Sequence, residues 1–248
     1  MANFTLTFKE RQTVADGTDT FIFEKPTDLT YEAGQYVVLR LANLVAPDER
    51  AGVRSFSFSS APFENEITFT MRQGVSGFKQ TMYALQPGET VQATGPVGHF
   101  TLSHAPDGQP IVFLVGGIGV TPMWSILKQA EHDGNKRSFV ALYSNRFKKD
   151  AAFDQEFKQL QLENFRYVPT FSQETTPCAD GSEERGYICE NMVRKYVPDV
   201  TAVWFYLVGA PAFIEAMEKM LSDMGVAKER QVCDPFAGMI QDNKSSRS

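Results

Sequence analysis

Residues 113–122 read FLVGGIGVTP, and their interpretation decides the fold. Ile111, Val112, Phe113, Leu114 and Val115 are apolar without alternation, the pattern of a strand covered on both faces. The run stops at Gly116-Gly117-Ile118-Gly119, where bare backbone can approach a ligand closely. Met123, Ile126, Leu127 and Ala130 then recur at i, i+3, i+4 and i+7, the spacing of a helix with one face in a core. Strand, glycine turn and helix together present backbone N–H groups to a phosphate at a strand's carboxyl end. The usual G-x-G-x-x-G pattern would place a third glycine at position 122, but the chain has Pro122 after Thr121. With Thr121 as N-cap and Pro122 at the first helical position, the turn reads as a deliberate helix start. Taken alone, the stretch is open between a nucleotide site and an ordinary glycine-rich turn.

Downstream the same grammar repeats. FVALY (139–143), Phe165–Thr170, VWFYLV (203–208) and RQVC (230–233) read as strands. Helices are expected around Phe153, Phe157 and Leu160, from Tyr187 to Val197, and along Phe213, Met217, Met220, Leu221 and Met224 up to Gly225. Residues 172–186 read as a loop. Alternating strands and helices with short connections imply a parallel sheet covered on both faces.

Upstream the period is two. FTLTFKERQTV, DTFIFEKP, QYVVLRL, RSFSFSS, EITFTMRQ and TVQATGPV alternate and are divided by turn signals such as Asp16-Gly17 and Pro87-Gly88. Six short antiparallel strands predict a barrel, with Gly77–Leu85 as a short inserted helix. The polar stretch SHAPDGQ (103–109) separates the halves. The expected domains are a β-barrel over 1–104 and an α/β nucleotide-binding domain over 105–241, followed by a disordered tail at 242–248.

Composition narrows the class. The 248 residues are 42% hydrophobic and 22% charged, ordinary for a globular protein with sizeable cores. A net charge of −6 argues against a nucleic-acid footprint. No apolar run reaches membrane-span length, and MANFTLTFKE does not read as a signal peptide. Cys178, Cys189 and Cys233 show no iron–sulfur spacing, and His99, His104 and His132 no zinc spacing. Reduced thiols and a cytoplasmic location are the expectation, with no metal site.

Several further segments bear on the glycine turn. Arg54-Ser55-Phe56-Ser57 combines a planar fork for phosphate, an aromatic for a ring system and hydroxyls for ring nitrogens. Gly95-Pro96-Val97-Gly98-His99-Phe100 is a tight turn ahead of the domain junction, and Gly209-Ala210-Pro211 a second glycine turn after a strand. In this order the segments resemble the ferredoxin–NADP reductase superfamily, whose pattern runs R-x-Y-S, G-P-x-G-x-F, G-G-x-G-x-T-P and a late G-P turn. The likeness covers Phe4 to about Met239, and T-P after the glycines is that family's own variant.

The resemblance implies a flavin-dependent NAD(P)H oxidoreductase, with FAD expected over FMN. Arg54 would bind the flavin phosphate, Phe56 would pack on the flavin, and Ser57, beside Ser55, would sit near the reactive ring nitrogen. Arg72, Lys79 and Thr81 match a second flavin-phosphate region. Gly117, Gly119, Thr121, Pro122 and Gly209 would hold the nicotinamide nucleotide. Ser144 and Arg146 would meet the adenosine ribose or its 2′-phosphate, which favours NADPH over NADH. The closing segment would bring Phe236 towards the flavin. Two positions depart from the family: Phe56 stands where tyrosine is usual, and Val208 where many relatives have cysteine. His99 is expected to be structural. The implied acceptor is a separate carrier such as ferredoxin or flavodoxin. Free flavin, ferric complexes or a partner oxygenase are alternatives of the same chemistry. A non-catalytic flavin-binding regulatory subunit is the alternative of another class.

Overall fold

The computed structural model describes residues 2–176 and 181–235. Six antiparallel strands form the first half: β1 (Ala2–Ala15), β2 (Thr18–Glu24), β3 (Tyr36–Arg40), β4 (Val53–Ser57), β5 (Glu66–Arg72) and β6 (Thr90–Val97). Their order is β4-β3-β6-β1-β2-β5. The long β1 makes the curvature: residues 2–7 pair with β6, and from Phe8 onward it pairs with β2 through a register shift. Past β4, the Ser59 N–H donates to the Thr68 carbonyl at 2.9 Å, drawing this end of the chain onto β5. Leu6, Phe21, Phe23, Val37 and Phe69, from the inward half of the period-two pattern, fill the interior together with Phe58 just past β4 and Phe78. The expected inserted helix is α1 (Gly77–Ala84).

The second half is a parallel sheet ordered β10-β9-β8-β7-β11-β12. Its strands are β7 (Ile111–Gly116), β8 (Phe139–Asn145), β9 (Phe165–Phe171), β10 (Glu184–Arg185), β11 (Trp204–Gly209) and β12 (Gln231–Pro235). The unbroken apolar run of β7 has a direct cause. Phe113 and Val115 pack with α2 (Val120–His132) on one face, whereas Val112 and Leu114 pack with α4 (Glu190–Tyr196) and α5 (Pro211–Asp223) on the other. Because β8 lies on one side of β7 and β11 on the other, the chain reverses its winding at β7. A crevice opens at the carboxyl ends of strands where winding reverses.

Four local expectations change. A 3₁₀ turn over Gly117–Gly119 precedes α2, which starts at Val120 with Gly119 as N-cap. Thr121 is therefore not the cap, and Pro122 is the third helical residue, still within the turn whose N–H groups lack intrahelical acceptors. The helix α3 (Asp154–Gln159) is shorter than its apolar spacing suggests, because Phe153 adopts a left-handed φ of 63° just before it. The segment read as a loop contains β10, whose two residues are too few to show a period. The helix α4 begins at Glu190 rather than Tyr187, with Cys189 in extended backbone as its N-cap. The segment 242–248 lies outside the described residues.

Candidate functional site at the domain seam

The two halves meet through directed contacts. Ser125 Oγ donates to the Ser60 carbonyl at 2.6 Å, and the Tyr206 hydroxyl to the Thr101 carbonyl at 2.8 Å. Above this junction lies a cavity of about 740 Å³. Arg54, Ser55, Phe56 and Ser57 line it from β4, Arg72 and Lys79 from β5 and α1, and Ile118, His99 and Asp234 from the other side.

The end of β4 supplies the barrel wall with both of its faces. Phe56 stacks on Phe78 with ring centroids 5.5 Å apart, while Ser57 is buried at the strand end and Ser55 is exposed. Arg54 extends over Phe78, donates Nη1 to the Val53 carbonyl at 2.8 Å and Nη2 to Asp48 at 2.8 Å. Asp48 also accepts the Phe78 N–H at 3.0 Å and those of Arg50 and Gly52. Burial opposes ionisation of this carboxyl, but the Phe78 N–H, Arg54 and the other N–H groups outweigh it and hold the pKa down at about 2. Sequence reasoning missed Asp48, since nothing in a polar loop marks one acid as the partner of an arginine on the next strand.

Arg72 and Lys79 are differently placed. Arg72 Nη2 donates to Asn145 Oδ1 at 3.3 Å, and Lys79 Nζ reaches the Gln73 carbonyl at 3.5 Å. Neither has a carboxylate partner among the described residues. Burial, then the nearby Arg72 and Arg54 charges, push the Lys79 ammonium below its ordinary value. Cations gathered without counter-charge, beside an aromatic ring, form a donor set that fits an anionic ring-bearing cofactor.

Thr81 does not join them. Its hydroxyl donates to the Gly77 carbonyl at 2.7 Å and accepts the Val45 N–H at 3.0 Å, so it holds α1 to the preceding loop.

Across the seam, the glycine turns abut. A Cβ on Gly119 would come within 2.9 Å of the Gly209 backbone, so neither a second side chain nor a wider turn fits there. Thr121 is buried with its hydroxyl unpartnered among the described residues, and Pro122 is buried beside it. Ser144, one residue before the end of β8, is in register with Gly116, and Arg146 follows the strand exposed. Both lie on the carboxyl edge of the sheet, outside the cavity lining.

Asp234 is the acid that the closing segment contributes. It sits in register beside Val208, and burial pushes its pKa up to about 6, with His99 pulling the other way. Phe236 and Cys178 lie outside the described residues. No cluster of three or more histidine, cysteine or acidic side chains suited to a metal occurs among the described residues. No described helix is long and apolar enough to cross a membrane.

Fold and site together define a two-domain oxidoreductase with a flavin side and a nicotinamide side. Residues 5–102 match the oxidoreductase FAD-binding domain family and residues 113–219 the oxidoreductase NAD-binding domain family. The chain belongs to the ferredoxin–NADP reductase superfamily and is a flavin-dependent NAD(P)H oxidoreductase. It is 28% identical over 233 residues to a component of the Na(+)-translocating NADH-quinone reductase of Yersinia pestis, covering 87% of this chain but only 56% of that relative. Among solved structures it resembles a cytochrome P450 reductase from Amycolatopsis, with a TM-score of 0.81, 24% identity and coverage of 96% and 71% of the two chains. It also resembles a ferredoxin NADP+ reductase from Neisseria gonorrhoeae solved with FAD and NADP, with a TM-score of 0.80, 19% identity and coverage of 96% and 100%.

Proposed function

We propose that the protein takes a hydride from NADPH in preference to NADH and passes electrons to a separate protein carrier, ferredoxin or flavodoxin. When bound, FAD supplies the chemistry of accepting two electrons and releasing them singly. The chain's own residues bind, orient and exclude water. Arg54 and Lys79, with Arg72, offer the charge for the flavin's phosphates, and Phe56 lies against its rings. Ser55 and Ser57 offer hydroxyls to the ring edge. Gly117, Gly119, Thr121, Pro122 and Gly209 receive the nicotinamide nucleotide, and Ser144 with Arg146 its adenosine end. In this reading the flavin-binding domain is 1–104 and the nucleotide-binding domain 105–241. The free thiols of Cys189 and Cys233 support a cytoplasmic setting.

The observation that carries the proposal is the pair of cations Arg72 and Lys79, without carboxylate partners among the described residues, facing Phe56 across from the Gly116–Gly119 turn. An anaerobic visible spectrum of the flavin-loaded protein tests it. Bleaching faster with NADPH than with NADH is the expected result. Equal bleaching removes the NADPH preference, and a protein that takes up neither FAD nor FMN removes the proposal. Single-turnover mixing with oxidised ferredoxin or flavodoxin then tests the acceptor.

A further inference from the structure

Ser125, Lys128, Gln129 and His132 of α2 are spaced i, i+3, i+4 and i+7 and so share one helix face. All four meet a single barrel segment, residues 60–64 between β4 and β5. Ser125 Oγ donates to the Ser60 carbonyl at 2.6 Å, Lys128 pairs with Glu64, and Gln129 Oε1 accepts the Phe63 N–H at 3.2 Å. The His132 ring lies flat on that of Phe63, with centroids 4.0 Å and planes 6° apart, where Phe63 is 43% exposed. The segment is also fixed to the barrel. The Tyr31 hydroxyl donates to the same Ser60 carbonyl at 3.1 Å, and Lys25 Nζ to the Glu64 carbonyl at 3.0 Å.

Exposed ion pairs hold geometry poorly, but this one is shielded. The Lys128 side chain is 14% exposed, and its Nζ lies 5.2 Å from the centre of the Trp124 ring. Burial pushes the ammonium below its ordinary value, and Glu64 opposes that shift.

Both partners continue segments that face the cavity. The helix α2 follows the Gly116–Gly119 turn without a break, and residues 58–64 follow Arg54-Ser55-Phe56-Ser57. Only Phe58 and Ser59 separate Ser57 from Ser60, and Phe58 is fully buried and stacked on Tyr31 at 4.0 Å. The connection has no slack, so a shift of α2 must break these contacts or move the β4 wall. None of the contact residues lines the cavity itself.

We propose that Ser125, Lys128 and Glu64 are positioning residues for hydride transfer, because through them α2 and the segment 60–64 fix the spacing of the nicotinamide and flavin rings across the seam. This rests on reading the Gly116–Gly119 turn as the dinucleotide site and β4 as the flavin wall. In the step they serve, the hydride leaves NADPH, which becomes NADP+, and the flavin gains its two electrons.

Flavin-loaded protein carrying Ser125→Ala, Glu64→Gln or Lys128→Met tests the proposal. Ser125→Ala is the mild variant, since the Ser60 carbonyl keeps the Tyr31 hydroxyl. Calorimetry gives the Kd of NADP+, and ultrafiltration gives flavin retention. Both should stay within about twofold, since no ligand contact is lost. The long-wavelength charge-transfer absorbance, formed when NADP+ is added to dithionite-reduced protein, reads ring stacking directly and should fall several-fold. Single-turnover reduction at saturating NADPH should slow about 10-fold, within the roughly 100-fold that a 1 Å misplacement can cost. Lys128→Arg, which keeps the charge, should retain most of the absorbance and the rate.

A lowered melting temperature with unchanged absorbance and rate would make these contacts a matter of stability alone and overturn the proposal. A raised Kd with an unchanged saturated rate would overturn it too, by making them part of binding. Equal losses in Lys128→Arg and Lys128→Met would remove the ion pair from the role. A wild-type protein that takes up no flavin defeats the proposed function and this inference together. That failure is distinct because it shows before any substitution is made.

Discussion

The Arg54 guanidinium meets a fully buried Asp48 carboxylate at 2.8 Å, on the wall where an anionic cofactor would lie. Asp48 is therefore what holds the fork in place, while also gathering three backbone N–H groups of the loop and of α1. Asp48→Leu removes one partner of a buried pair and should destabilise the fold by about 3 kcal/mol. Urea unfolding measures this. With a folded pKa of about 2, below the ordinary carboxylate value, Asp48 contributes stability above about pH 4. That contribution is lost as pH falls towards 2. The pH dependence of wild type minus Asp48→Leu should show this acid-side loss.

Phe56 stacks on Phe78 while lining the cavity, so its ring has one face committed to the barrel and an edge or face available to a ligand. Phe56→Ala should weaken flavin binding about 10-fold, the scale of an aromatic contact with its lost burial. Ultrafiltration of the flavin from the variant measures this. Phe56→Tyr should retain the flavin, since the ring contact is preserved.

Arg146 follows the end of β8, exposed and outside the cavity lining. Arg146→Ala should raise the Kd of NADPH about 10-fold and leave that of NADH within about twofold, because only the former carries a 2′-phosphate for the guanidinium. Equal weakening of both would refute its role as the phosphate reader.

Asp234 has the opposite sign to Asp48. Its pKa, raised by burial to about 6, means that the folded state binds its proton more tightly than the unfolded state. Folding stability should then fall as pH rises from about 4 to about 6 and level off above. In Asp234→Asn that step should vanish, which thermal melts across this range will show. Persistence of the step in the variant would assign it to another group.

Periodicity alone was enough for the architecture. Alternation in strands such as QYVVLRL and EITFTMRQ requires a sheet with one face in a core, and the unbroken IVFLV run requires a strand buried on both. Burial of apolar side chains follows local spacing, so these elements were legible, as was Arg54-Ser55-Phe56-Ser57 as a cavity wall. Elements defined by a few residues were not: the two-residue β10 is set by its pairing with Thr170 and Phe171, and the start of α2 at Val120 by the 3₁₀ turn before it. Nor could spacing show that the Thr81 hydroxyl is consumed by Gly77 and Val45, that Asp48 neutralises Arg54, or that Arg72 crosses to Asn145, 73 residues later. Which polar group meets which depends on distances between chain segments far apart in sequence, and only the packed tertiary structure sets those distances. The sequence determined the two domains and the kinds of side chain at their junction; the fold decided which charges there are already paired and which face the ligand.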